Sequence, residues 1–253
     1  MAGKTIVGTS GYSYKHWWDG VFYPSDVPQR RWLEYYARYF ETVELNVTFY
    51  RLPKKATFEG WYKRTSPNFT FVVKGSRFIT HVKRLKDCEE PLNIFFESAR
   101  ELKEKMGVIL WQLPPNLHVD IQKLEDFSSL LVRIPVSKKT RHVFEFRHKS
   151  WFCQEIYGLL KKHNFSLCIA HSDRWPCIEE ITADFVYLRF HGGQILYGSN
   201  YSDEELSEWA IKGRRWLAQG KDVYAYFNND AYGFAVKNAL TFRDLLLSKD
   251  NLP

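Results

Sequence analysis

The run Asp184-Phe185-Val186-Tyr187-Leu188-Arg189-Phe190-His191 decides the fold, because its two faces differ along their length. In an extended strand every second side chain shares a face. One face here is Val186, Leu188 and Phe190, apolar throughout. The other is Tyr187, Arg189 and His191, which turns polar toward the carboxyl end. The same asymmetry recurs in Val43/Leu45/Val47 against Glu44/Asn46, in Phe69/Phe71/Val73 against Val72/Lys74, and in Ile109/Trp111/Leu113 against Val108/Leu110/Gln112. It appears again in Phe144/Phe146 against Val143/Glu145/Arg147, and in Val223/Ala225/Phe227 against Tyr224/Tyr226/Asn228. An open doubly wound sheet has helices on both faces and keeps both apolar. A closed barrel has an apolar outer face and an inner face that becomes polar at its mouth. The pattern predicts a (β/α)8 TIM barrel.

Working outward, eight short strand-like runs alternate with helix-like segments, at residues 5–10, 42–47, 69–74, 107–113, 142–147, 165–170, 184–191 and 222–228. That succession predicts a parallel sheet wrapped by helices. Pro28 marks a helix start before Trp32, Leu33, Tyr36, Ala37 and Phe40. Pro91 is expected to open a helix carrying Ile94, Phe95, Ala99 and Leu102. Ser202 with Glu205 forms a capping box, and Asn229 or Asp230 is expected to cap the last helix. A short helix is expected near residues 177–181. No linker or repeat divides the chain, so residues 1–253 are expected to form one TIM-barrel domain.

Apolar residues make up 45% of the chain, enough for a substantial core and against disorder. No apolar run approaches the roughly 20 residues that span a bilayer, and no secretory segment precedes the first strand. Cys88, Cys153, Cys168 and Cys177 are dispersed, without a C-x-x-C pair, as expected of reduced thiols. These features predict a cytoplasmic protein with no membrane partner. The net charge of +7 and pI near 9.1 favour anionic partners.

If the sheet closes, Glu44, Asn46, Lys74, Gln112, Glu145, Arg147, Arg189, His191 and Asn228 meet at the mouth. Charges there are costly unless they pair or meet a ligand. Glu44 and Glu145 could serve as general acid and base, with His191 as a proton shuttle. Lys74, Arg147 and Arg189 could clamp phosphate or carboxylate, guanidinium being a planar fork. A self-neutralising network, with Glu145 on an arginine and Glu44 on Lys74, is the structural alternative. Tyr12, Trp17, Tyr50 and Asn229 lie in the loops that follow strands, among aromatic residues suited to stack on bases or sugars. His81, His148, His171, His191, Asp173 and Asp230 match no short metal motif, so neither metal nor cofactor is expected.

The same blocks carry a family likeness. Gly8-Thr9-Ser10-Gly11-Tyr12 with Trp17 and Phe22-Tyr23-Pro24 resembles the opening of the YecE-like family, also called domain of unknown function seventy-two. The resemblance continues through Tyr39–Asn46 with Thr48-Phe49-Tyr50, Phe71-Val72-Val73-Lys74, Leu110–Pro115, Glu145–His148 with Ser150-Trp151, Tyr187–Gly192 and Tyr226–Asp230. It implies a (β/α)8 barrel and no established activity. It also implies a pocket shaped like that of apurinic-site barrel endonucleases, whose trinuclear zinc sits among His, Asp and Glu. Lys74, Gln112, Arg147 and Arg189 depart from such a zinc-binding mouth. The sixth strand end, Cys168-Ile169-Ala170-His171-Ser172, departs from the acidic residue expected there in relatives.

The expectation is therefore an enzyme or binder for a phosphate-bearing ligand, an anionic small molecule or single-stranded nucleic acid. Its enzymatic form would be a metal-independent hydrolase or phosphodiester-processing activity. The alternatives are a glycoside-type hydrolase with Glu44 and Glu145 roughly 5–9.5 Å apart, and a non-catalytic anion-binding barrel. Oligomeric state is not legible.

Overall fold

A computed structural model of the protein describes residues 2–193 and 195–248. Among these residues eight strands alternate with helices, except between the sixth and seventh: β1 Thr5–Thr9, β2 Thr42–Leu45, β3 Thr70–Lys74, β4 Met106–Gln112, β5 Arg141–Glu145, β6 Ser166–His171, β7 Phe185–Phe190 and β8 Asp222–Phe227. The helices are α1 Trp32–Tyr36, α2 Val47–Tyr50, α3 Lys55–Lys63, α4 Glu89–Ala99, α5 Ile121–Arg133, α6 Pro135–Lys138, α7 Gln154–His163, α8 Asp203–Ala218 and α9 Phe234–Leu247. The sheet order is β1-β8-β7-β6-β5-β4-β3-β2. β1 pairs in parallel with β8, Val7 opposite Ala225. First strand beside last is the order of a (β/α)8 barrel; an open doubly wound sheet carries its first strand inside.

The chain packs as two compact units. One holds Met1–Val43, Ile169–Glu179 and Asp184–Pro253; the other holds Glu44–Cys168 and Glu180–Ala183. In the first, Phe190 of β7 stacks on Phe227 of β8 with ring centroids 4.5 Å apart, and Phe242 of α9 closes over both. In the second, Trp111 of β4 packs against Phe95 of α4 and Phe127 of α5. These are the outward apolar faces read from the alternation, now covered by helices.

Several strands end earlier than their sequence pattern suggests, although β3 ends at Lys74 as expected and β6 runs one residue further, to His171. Ser10, Asn46, Arg147, His191 and Asn228 all lie just past a strand rather than inside it. Backbone pairing nevertheless continues one step beyond: Ser10 N–H donates to Phe227 O, Asn228 N–H to Phe190 O and His191 N–H to His171 O, at 2.9, 2.8 and 3.0 Å. The side chains therefore keep their alternation. At β2 the pattern breaks. Asn46 turns helical at φ −81°, α2 begins, and Thr48 Oγ1 bonds the carbonyls of Leu45 and Lys74. Val47, expected on an apolar face, is 49% exposed as a result.

Helix boundaries shift as well. The capping box of Ser202 and Glu205 is present. α4 starts at Glu89, before Pro91, and buries Leu92, Phe95, Phe96 and Ala99, leaving Ile94 at the surface. α9 is capped by Gly233 at φ 76°, not by Asn229 or Asp230, because a tight turn over Ala231–Gly233 intervenes. Residues 177–181 form no helix.

One buried lysine closes a helix end. Lys105 is 5% exposed, and its Nζ donates to Tyr62 O, Thr65 O and Thr65 Oγ1 at 2.6, 3.0 and 3.2 Å. A cation among the orphan carbonyls after α3 meets both their hydrogen-bonding need and the helix dipole. Among the described residues no helix is long and apolar enough to cross a membrane.

Candidate functional site

In the unit that holds Glu44–Cys168, the carboxyl ends of β3 and β5 carry a cationic cluster. Glu145, the last residue of β5, is fully buried, and its Oε1 accepts from Arg147 Nε at 2.8 Å. The Glu145 carbonyl accepts from Leu113 N–H, which fixes the strand end that aims this carboxylate. Lys74, the last residue of β3, is 8% exposed. Thr48 Oγ1 holds its carbonyl at 2.6 Å, and its ammonium sits 4.3 Å from the centroid of the Phe49 ring. A cation over a ring face in a half-dry setting contributes about 0.5–2 kcal/mol.

Beyond Phe49 stands His81, on the π-helical turn Phe78–Val82, its ring edge-on to Phe49 at 5.0 Å. Burial pushes the His81 pKa down to about 4, and the charges of Lys74, Arg77, Arg147 and Arg84 push the same way. Thr80 Oγ1 lies 2.8 Å from His81 Nδ1. His81 is therefore neutral at physiological pH inside a field set by four cations. Gln112, at the end of β4, is 4% exposed and donates to Leu113 O. Glu44 of β2 is fully buried, and Tyr50 is 78% exposed.

In the unit that holds Asp184–Pro253, a different group gathers at the carboxyl ends of β1, β7 and β8. Arg189 and His191 are both fully buried. Arg189 Nη2 reaches Ser10 Oγ at 3.3 Å and Nη1 lies 3.4 Å from His191 Nε2. Asn228 Nδ2 lies 3.1 Å from His191 Nδ1. Arginine has no acceptor, so Nε2 must carry the lone pair toward Arg189. The proton then sits on Nδ1, and the Asn228 amide must present its oxygen there, the two amide atoms being interchangeable by a flip. Trp175 and Tyr197 flank the imidazole edge-on.

The structure gives three sequence-predicted ligand residues structural partners. Trp17 is fully buried, with its Nε1 donating to Asp230 O at 2.8 Å; the exposed indole of this pair is Trp18, at 46%. Asn229 is fully buried, and its Nδ2 donates to Ser199 O and to Asn238 Oδ1, both at 2.8 Å. The Tyr12 carbonyl accepts from the Tyr23 hydroxyl, and its ring lies 6.1 Å from that of Tyr36. Arg77 and Trp175 carry no signal in the strand alternation, since both lie in connecting segments. Among the described residues no group of three or more His, Cys, Asp or Glu is placed to hold a metal ion.

The sequence matches the model for "Protein of unknown function DUF72" over residues 6–252. The chain belongs to the DUF72 family. Among curated proteins it is 25% identical to the UPF0759 protein YunF of Bacillus subtilis, over 90% of each chain. It is 35% identical to the UPF0759 protein YecE of Escherichia coli over 32% of this chain and 30% of that one. A solved DUF72 family protein from Thermotoga maritima superposes with a TM-score of 0.85 at 31% identity, over 97% of this chain and 100% of that one. That DUF72 neighbour agrees with the (β/α)8 barrel assigned from the strand order. SacUVDE, at a TM-score of 0.53 and 10% identity over 96% of this chain and 98% of its own, shares the fold alone.

Proposed function

We propose that this DUF72 protein binds, and as an enzyme would process, a phosphate-bearing ligand, with single-stranded nucleic acid foremost. Lys74 and Arg147 supply the anion contacts. The observation that carries this reading is a pair of cations held in place at two strand ends: Lys74, 8% exposed with its ammonium 4.3 Å from the Phe49 ring centroid, and Arg147, whose Nε is bonded to the buried Glu145 at 2.8 Å. Burial first, and then the charges of Lys74, Arg77, Arg147 and Arg84, lower the pKa of the neighbouring His81, which fits a positive local field suited to an anion. Glu145 holds the Arg147 guanidinium by its Nε, which fixes the orientation of this cation at the end of β5. The basic net charge of +7 would draw a polyanion to the surface. Glu44, Glu145 and His191 are the groups on which proton transfer would fall, and the chemistry proposed needs no cofactor. The dispersed cysteines and the absence of a membrane-length helix among the described residues fit a cytoplasmic setting.

The test is binding of labelled single-stranded DNA as a function of salt. Affinity should fall steeply between about 50 and 200 mM, and Lys74→Met and Arg147→Met should each reduce the log–log slope by about one. A wild-type protein that binds no strand at about 50 mM salt would overturn the reading.

A further inference from the structure

The loop after β1 builds a second feature that the cationic cluster does not use. Lys15, Trp18, Asp26, Pro28, Gln29 and Trp32 line a cavity of about 460 Å³, within the roughly 300–1,000 Å³ of small-ligand pockets. Its floor is rigid. Trp32 is 3% exposed, stacks on Tyr23 with centroids 4.5 Å apart and planes 1° from parallel, and gives its Nε1 proton to Val27 O at 3.1 Å.

Trp18, by contrast, leaves 46% of its surface to solvent. Its backbone is nonetheless fixed. Its N–H bonds Lys15 O at 3.1 Å, and Gly20 N–H bonds Tyr23 O at 3.0 Å. Asp19 between them adopts a left-handed φ of 58°, a conformation that costs energy for a residue with a side chain. Next door Trp17 is pinned by Asp230 O. A large indole held open to water by a strained, hydrogen-bonded loop gains nothing for folding from that exposure.

We infer that this cleft is a base-stacking subsite, in which Trp18 stacks on one nucleobase of a bound strand and Lys15 meets the adjacent phosphate. The inference rests on the nucleic-acid reading above and adds where a base is recognised. Any base offers a π-face to an indole, and such stacking is tolerant of sequence. Gln29 gives its Nε2 to Ser13 Oγ at 3.2 Å, which leaves its carbonyl oxygen, with the Asp26 carboxylate, to accept from the N–H groups of a base edge. A lining that combines a cation with hydrogen-bond acceptors matches a nucleotide better than a neutral pyranose.

The experiment compares two labelled strands of about twelve nucleotides, one with bases and one abasic throughout, at about 50 mM salt. Wild type should bind the base-bearing strand more tightly. Trp18→Ala should weaken that strand about tenfold and leave the abasic strand unchanged, while Trp18→Phe keeps most of the affinity. Thermal melts would confirm that both variants fold. If wild type binds both strands equally, or Trp18→Ala weakens both alike, the stacking subsite is overturned while nucleic-acid binding stands. If neither strand binds, the function proposed above fails first. Displacement of the base-bearing strand by a neutral oligosaccharide, but not by a mononucleotide, would reassign the cleft to sugar and overturn the inference.

Discussion

Arg147 directs its Nε at Oε1 of Glu145 across 2.8 Å, with the arginine side chain 11% exposed and the glutamate fully excluded from solvent. Two residues apart on one chain, they sit where β5 ends and its loop begins, so the strand's direction fixes both. A carboxylate removed from water is tolerable only with such a partner. The bond holds one edge of the guanidinium and thereby orients the rest of it. Glu145→Ala should destabilise the protein by about 1.5–3 kcal/mol, because it removes a charge-assisted hydrogen bond to a partly buried guanidinium. The double variant Glu145→Ala with Arg147→Met should lose less than the sum of the single changes by about 1–3 kcal/mol. Urea titrations of the four proteins measure this directly, and strict additivity would show that the pair is not coupled.

Acid should unfold this protein through its neutral histidines. His142 is 2% exposed. Its Nδ1 accepts from Trp111 Nε1 at 3.1 Å, and its Nε2 reaches Ser137 O at 3.0 Å. Indole nitrogen only donates, so Nδ1 cannot hold a proton without losing that bond. Burial accordingly lowers the His142 pKa to about 4 from 6.5. Below pH 6.5 the unfolded chain takes up a proton that the folded one refuses. The stability present above pH 6.5 is lost as pH falls, and the loss is complete below about 4. It amounts to roughly 3 kcal/mol for this group. His142→Gln, which keeps an acceptor and a donor, should flatten stability measured by urea melts between pH 7 and 4.5.

His81 offers a reporter of anion binding. Burial, with the charges of Lys74, Arg77, Arg147 and Arg84, lowers its pKa to about 4. A phosphate among Lys74, Arg77 and Arg147 would offset those charges and move the pKa back up toward 6.5. An NMR titration of the His81 ring with and without inorganic phosphate should show this rise. An unchanged midpoint at saturating phosphate would place the anion elsewhere.

Lys105 gives a stability test away from any site. Its ammonium makes three hydrogen bonds after α3, while burial pulls its pKa downward. Lys105→Met keeps the stem and removes the donors, so the carbonyls of Tyr62 and Thr65 lose their partner. The expected loss is about 3 kcal/mol by denaturant unfolding. A loss below about 0.5 kcal/mol would show that water replaces the ammonium.

A backbone contact gives a sharper packing test. A Cβ at Gly8 would lie 2.6 Å from the Thr42 carbonyl oxygen and 3.2 Å from the Tyr36 hydroxyl. Neither atom can withdraw easily: that hydroxyl already donates to Thr42 O and receives Thr9 N–H, both at 3.0 Å. Gly8→Ala should therefore cost about 1–3 kcal/mol by overpacking, visible as a lowered melting temperature.

The strand alternation alone determined which segments form the sheet, which face of most strands the helices cover, and that polar groups gather near the carboxyl ends. It could do so because side-chain direction in a strand repeats every two residues regardless of context. Tertiary structure decided where each strand stops. Asn46 and Val47 continue the β2 pattern in sequence, yet Thr48 ties the chain to the Leu45 and Lys74 carbonyls and turns it helical. It also chose Trp18 over Trp17 as the exposed indole and brought Arg77 and His81 to Lys74. These choices depend on contacts between segments distant in sequence, where a local period carries no information.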